Sequence, residues 1–242
     1  MPSPGFERTV MSAGSADRAR ILIVTAIPEE LSAFAGRRLP SGVVVESTGD
    51  GLRRAARTTA ALCERYRPQL LLGVGVAGAL TPDLGPGDLV VGHRILDREG
   101  ETPWPHGVFV VAAAAKPGAR QGTLVSVDRP LVSAAEKAEY AARFPPPPAA
   151  ADMESAAWAR AASAREIPFL IIRCVSDTSE EDLPGYLSRC MDRDGGIRRS
   201  AVALSALAHP GSIPALLRMR RRVTDCAARL AEFAVRFAAE VA

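Results

Sequence analysis

Three carboxylates occupy positions where chemistry can be done. Glu154 follows Asp152 and Met153 in the first turn of a predicted helix. Asp177 stands just past the apolar run that begins at Ile167-Pro-Phe-Leu-Ile-Ile-Arg173, and Glu30 comes shortly after the apolar run Ile21-Leu-Ile-Val-Thr-Ala-Ile27. Each lies beside the end of a predicted strand that leads into a helix or loop. All three therefore fall on one rim of a sheet, where open α/β folds hold ligands. Each also has a plainer explanation when taken singly. Glu30 and Glu154 at helix N-termini are favoured by the dipole by about 0.3–1 kcal/mol. Asp152 suits an N-cap, and Asp177 suits a cap on whatever follows its strand. Counted together, the three make a shared site the better reading.

Positioning these acids requires strands and helices in alternation, and the apolar patterning predicts them. The run 21–27 is β-branched and wholly apolar, as a buried parallel strand is. Pro28, Glu29 and Glu30 then open a helix with Leu31 and Phe34 on its apolar face. Val43–Val45 is a second strand, running into a turn with Gly49 and Gly51, and a helix follows over 52–65. Residues 69–76 form a third strand, which Ala77 to Leu80 leave as a loop. Residues 88–92 form a fourth, 94–107 read as a loop, and 108–111 and 123–127 as further strands, the last leading into a helix with Glu136 and Lys137. Pro145 to Pro148 impose an extended connector. The stretch from Asp177 to about Gly211 has little pattern. From Ile213 to the end one amphipathic helix is expected, with Leu216, Val223, Ala227, Leu230, Ala234, Phe237 and Val241 on its stripe. The fold class is thus α/β, one domain over 19–242 with a mixed or parallel sheet covered on both faces. Residues 1–18, rich in Ser, Gly, Pro and Ala, read as a flexible tail.

The totals narrow the function. A chain of 242 residues suits one large α/β domain better than two small ones. A net charge of +3 with interleaved acids and bases argues against a nucleic-acid binder. The four cysteines form no CxxC, so reduced thiols and a cytoplasmic location are expected. The histidines have no ligand-like spacing, and no metal or cofactor is expected. No apolar run is long enough to span a bilayer. Gly73-Val-Gly-Val-Ala-Gly78 matches a dinucleotide fingerprint, but Pro82, Gly85, Pro86 and Gly87 follow too soon for the helix that fingerprint needs. The better readings are a turn that brings backbone N–H groups to a ligand, or a structural bend. The arginines 218, 220, 221 and 222 are either a solvated helix face or, beside the apolar stripe, a peripheral contact with an anionic inner-membrane face.

Five blocks in order resemble the nucleoside phosphorylase and nucleosidase superfamily: Ala26-Ile-Pro-Glu-Glu-Leu31, Ser47-Thr-Gly-Asp-Gly51, Gly75-Val-Ala-Gly-Ala-Leu80 with Pro86-Gly-Asp88, Asp152-Met-Glu154, and Arg173-Cys-Val-Ser-Asp177. The resemblance implies a three-layer fold with a central mixed sheet, a homo-oligomer, and cleavage of the N-glycosidic bond of an adenine nucleoside. It implies that Asp177, helped by Ser176, protonates or hydrogen-bonds N7 of the leaving purine. Glu154 would accept hydrogen bonds from the ribose hydroxyls with Met153 packed on the sugar. Glu30 would orient and deprotonate the attacking water, and Val76, Ala77 and Gly78 would lie along the sugar. Such cleavage passes through an oxocarbenium-like state, so one acid with a pKa raised by burial and one ionised carboxylate suit it.

Two departures bear on the nucleophile and the substrate. Glu29 and Glu30 stand where a phosphorylase would need cationic donors, and Val76 stands where relatives carry a serine, so water is favoured over phosphate. Pro130 and Leu131 replace an aromatic residue offered to the purine. Met191-Asp-Arg-Asp-Gly-Gly-Ile197 and residues 204–217 resemble the hopanoid-associated branch, whose members are taken to release adenine from adenosylhopane. The rival readings are a methylthioadenosine/S-adenosylhomocysteine nucleosidase, a true phosphorylase, and a non-catalytic nucleoside- or lipid-binding module.

Overall fold

The computed structural model describes residues 11–12 and 19–241. Its central sheet begins where the patterning places it, with β2 (Ile21–Thr25) followed by the short helix α1 (Pro28–Ser32) and β3 (Val43–Ser47). Ahead of these, β1 (Met11–Ser12) pairs antiparallel with β3, so these two residues of the expected tail join the sheet. The rest of that tail, 1–10 and 13–18, lies outside the described residues. Helix α2 (Leu52–Tyr66) leads to β4 (Leu70–Ala79), then β5 (Leu89–Asp97), β6 (Gly100–Glu101), α3 (Gly107–Ala114), β7 (Ala119–Ser126), α4 (Ala134–Ala141), β8 (Ala150–Asp152), α5 (Ser155–Ser163) and β9 (Phe169–Asp177). Helices α6 (Arg199–Ala208) and α7 (Ile213–Val241) close the chain, and Ala242 lies outside the described residues.

Strand residues alternate between two cores, as a sheet covered on both faces requires. Leu22, Val24, Val44 and Leu71 pack against Ala55 and Cys63 of α2 and the buried alanines and Trp158 of α5. Their neighbours Ile21, Ile23, Val43, Leu70 and Leu72 face the other way, onto Phe34, Val110 of α3, and Cys226, Leu230, Ala234 and Phe237 of α7. This is the three-layer arrangement with a mixed sheet. β2 runs parallel to both β3 and β4, and β9 runs parallel to β4 but antiparallel to β5. β4 also meets β8, β8 meets β7 and β7 meets β5, so these five strands close into a ring.

Several expectations are corrected. Residues 108–111 are not a strand but part of α3. Val110 and Ala113 turn inward at helical spacing while Val108 and Val111 stay exposed, and the run of alanines that follows favours helix. Residues 94–97 extend β5 because β7 and β6 pair with them, so the loop expected over 94–107 is partly sheet. Likewise 77–79 stay in β4, held by β9 on one side and β8 on the other. The unpatterned stretch after Asp177 contains α6.

The glycines of 73–78 therefore lie inside a strand. At Gly73 the reason is steric, since a Cβ there would come 2.5 Å from the Trp158 ring. Gly73→Ala is accordingly expected to lower stability by about 1–3 kcal/mol through overpacking, as read by a lowered denaturation midpoint in urea.

Candidate active site

A cavity of ≈ 550 Å³ opens where β2, β4 and β9 end, and all eight residues singled out from the sequence line it: Glu30, Val76, Ala77, Gly78, Met153, Glu154, Ser176 and Asp177. Pro130 and Leu131 line it too. The three acids are 2%, 6% and 6% exposed for Glu30, Glu154 and Asp177, so none is a solvated surface carboxylate.

Glu30 is the third residue of α1, and its side chain folds back over the helix start. Its Oε2 accepts the N–H groups of Ala26 at 2.8 Å and Ile27 at 3.1 Å, and its Oε1 accepts that of Val76 at 2.9 Å. Burial raises its pKa above the ordinary carboxylate value, while the Arg173 charge and the three N–H donors pull it back. Gly75 lets this happen at close quarters. A Cβ there would lie 2.2 Å from Arg173 Nη1 and 3.0 Å from Glu30 Oε1.

Glu154 precedes α5 as its N-cap residue rather than sitting in the first turn. The cause is Asp152, whose Oδ1 accepts the N–H groups of Glu154 at 2.8 Å and Ser155 at 2.7 Å. That oxygen also receives the Ser126 hydroxyl at 3.0 Å and Arg173 Nη2 at 3.1 Å. Asp152, expected as the N-cap, stands two residues ahead of it and holds the start of the helix from there, and Glu154 turns to the cavity. There its Oε1 accepts Gly51 N–H at 3.0 Å and its Oε2 faces Arg173 Nη2 at 3.4 Å. Burial pushes the Glu154 pKa up to about 7, opposed by Arg173 and reinforced by the neighbouring Asp152 charge.

Asp177 is the last residue of β9, not one beyond it. Adjacent strand residues normally point to opposite faces, yet both Ser176 and Asp177 line the cavity. A register shift between Ala77 and Gly78 explains it, pairing Gly78 with Asp177 after Ala77 pairs with Val175. Asp177 Oδ1 accepts the Ser176 hydroxyl at 2.7 Å, and Oδ2 accepts Lys137 Nζ at 2.6 Å.

Sequence reasoning missed two residues. Lys137 is 1% exposed and reaches Asp177 from α4, though a lysine in a short helix carries no signal of burial. Arg173, also 1% exposed, did leave a signal, as a charge inside an otherwise apolar strand. Its Nε donates to Ser155 Oγ at 3.0 Å, and its guanidinium lies 4.5 Å over the Trp158 ring. The far wall of the cavity is apolar, with Leu183, Leu187, Val202, Leu216, Met219 and Val223. Leu216 and Val223 of the predicted stripe face this cavity, while Ala227, Leu230, Ala234 and Phe237 enter the core. Of the arginine run, Arg220 lines the cavity and Arg222 pairs with Glu181.

A mixed sheet with helices on both faces and a carboxylate-rich cavity at its strand ends defines an α/β enzyme, and comparison with known proteins sharpens this. The phosphorylase superfamily profile matches residues 39–207, and the chain belongs to that superfamily. It is similar to the 5'-methylthioadenosine/S-adenosylhomocysteine nucleosidase of Staphylococcus saprophyticus, 29% identical over 170 residues that cover 62% of this chain and 74% of the relative. The enzyme of that name from a Geobacillus species is 26% identical over 168 residues, covering 61% and 72%. Among solved structures, the Helicobacter pylori 5'-methylthioadenosine/S-adenosylhomocysteine nucleosidase superposes with a TM-score of 0.71 at 18% identity, over 93% of this chain and all (100%) of that one. Futalosine hydrolase of the same organism superposes at 0.69 and 17% identity, over 93% and 98%. The chain is an enzyme of the nucleosidase type.

The Glu154 environment has a consequence for stability. Its carboxyl binds a proton more tightly folded, at about 7, than at the ordinary 4.5, so its contribution is present below the lower value and lost as pH rises through the upper one. Glu154→Gln, which cannot ionise, is therefore expected to gain on the parent by an amount on the order of 1–3 kcal/mol between pH 5 and pH 8. Urea unfolding of both proteins at the two pH values measures it, and a pH-independent difference would contradict it.

Proposed function

We propose that this chain hydrolyses the N-glycosidic bond of an adenine nucleoside, with water as the nucleophile. The observation that carries this reading is the seat of Glu30. The backbone N–H groups that an anion would need at this end of the cavity already bind a carboxylate. An incoming phosphate would meet that negative charge, whereas a water molecule would find a base.

In this reading Asp177, with Ser176 beside it, holds the proton on N7 of the departing purine. Glu154 accepts from the ribose hydroxyls, Met153 packs on the sugar, and Val76, Ala77 and Gly78 run alongside it. As the bond breaks, the sugar becomes cationic, and the carboxylates of Glu30 and Glu154 stabilise that charge in a site largely shielded from water.

The finer proposal is a nucleoside with a bulky apolar 5′ substituent, adenosylhopane being the one its C-terminal motifs resemble. The apolar wall of Leu183, Leu187, Leu216, Met219 and Val223 supports it. The rival is methylthioadenosine or S-adenosylhomocysteine, after the relatives' names. Outside the cavity, Leu204, Leu207, Ile213 and Leu217 are exposed near the exposed Arg218 and Arg221, which supports contact with an anionic bilayer surface. No single helix among the described residues is long and apolar enough to cross a membrane. Exposed Trp104, Val108 and Val111 support association with a second copy.

The test is adenine release from adenosylhopane, methylthioadenosine and adenosine, with and without phosphate. Turnover independent of phosphate and fastest on adenosylhopane is expected. Glu30→Gln is expected to lower kcat by about 10²–10⁴-fold. Phosphate-dependent release would overturn the hydrolytic reading, and faster release from methylthioadenosine would select the rival substrate.

A further inference from the structure

Lys137 is buried at the back of the cavity, and every donor of its ammonium group is in use. Its Nζ donates to Asp177 Oδ2 at 2.6 Å, to the Thr178 carbonyl at 2.6 Å and to the Glu181 carbonyl at 3.0 Å. The other oxygen of Asp177 accepts the Ser176 hydroxyl at 2.7 Å. An ammonium bonded to one oxygen and a hydroxyl donating to the other favour the ionised form of this carboxyl. Such an Asp177 has no proton of its own to give, although the reaction needs one at the base. The proton nearest to it is on Lys137.

We propose that Lys137 is a positioning residue that acts through Asp177, supplying the proton that Asp177 passes to the leaving base. The proposal rests on the reading of Asp177 as the group facing purine N7. As the bond from sugar to purine breaks, its electron pair goes to the purine, and N7 takes a proton through Asp177. Asp177 takes one from Lys137 and remains a carboxylate, leaving a neutral amine on Lys137. Water forms the new bond at the sugar carbon and gives its proton to Glu30. When the products leave, Glu30 releases that proton to solvent and Lys137 regains one. The same ammonium ties Asp177 to the segment 178–181, whose Glu181 also pairs with Arg222 of α7.

The test compares Lys137→Arg, Lys137→Met and Asp177→Asn on two substrates, adenosine or methylthioadenosine and a nitrophenyl riboside. Nitrophenolate leaves without a proton, so only the nucleoside draws on the proposed supply. Arginine keeps the charge and donors but does not give up its proton. Lys137→Arg is expected to lose about 10²-fold or more in kcat on the nucleoside. Its KM, and its rate on the nitrophenyl riboside, are expected to stay within a few-fold of the parent. Lys137→Met, if it folds by circular dichroism, is expected to show the same split, and Lys137→Arg decides the matter if it does not. Full nucleoside turnover by Lys137→Arg, or equal losses on both substrates, overturns the proton supply. Nucleoside turnover retained in Asp177→Asn would instead overturn the reading of Asp177, and the proposal with it. An inactive Asp177→Asn beside a fully active Lys137→Arg would overturn only the role of Lys137.

Discussion

The buried guanidinium of Arg173 is the interaction on which the rest of the site depends. It stands mid-strand, in a place where an unpaired charge would cost several kcal/mol. It is tolerated because Asp152, Glu154, the Ser155 hydroxyl and the face of Trp158 surround it. Each of those partners has a second task. Asp152 holds the start of α5, Trp158 packs under Gly73, and Glu154 reaches the cavity. Gly75 gives the guanidinium room, and Glu30 lies within its field. Two acids on different elements therefore lie in the field of one cation, Glu154 bonded to it and Glu30 held beside it by backbone N–H groups.

The cavity has two unlike sides. Glu30, Val76 and Glu154 sit on strand ends and helix starts and are tied there by backbone hydrogen bonds, so their positions follow from the sheet. Asp177 belongs to the sheet as well, but the wall opposite is built from 178–223, held to the rest by separate links. Arg54 bonds Asp192 at 2.6 Å, Asp50 accepts the Ile197 N–H at 2.5 Å, and Arg199 pairs with Glu29. A rigid chemical floor thus meets a roof fastened at points.

Much of the rim was legible in the sequence. Buried strands such as 21–25 and 169–177 open on runs of large apolar residues, Ile21 to Val24 and Phe169 to Ile172, and their ends mark where ligands gather. Glu30, Glu154 and Asp177 were found by that logic alone. What stayed hidden depends on contacts distant in the chain. Lys137 looks like any solvated lysine until α4 is docked against the end of β9. Val108 to Val111 look like a strand, because β-branched residues prefer sheets, yet the helix there exposes two of them. The extension of β4 past Val76 was equally invisible, since it is partners on both sides, not the residues themselves, that keep the backbone extended.

The shift in register between β4 and β9 makes the spacing of the site a matter of counting. From Gly75 to Gly78 one strand advances three residues, while from Arg173 to Asp177 the other advances four. The surplus residue is what turns Ser176 and Asp177 to the same side. Deleting one residue from 174–176, however similar its replacement neighbours, would restore even pairing and swing one of them away from the cavity. In that stretch the number of residues, as much as their identity, sets which side chains meet the substrate.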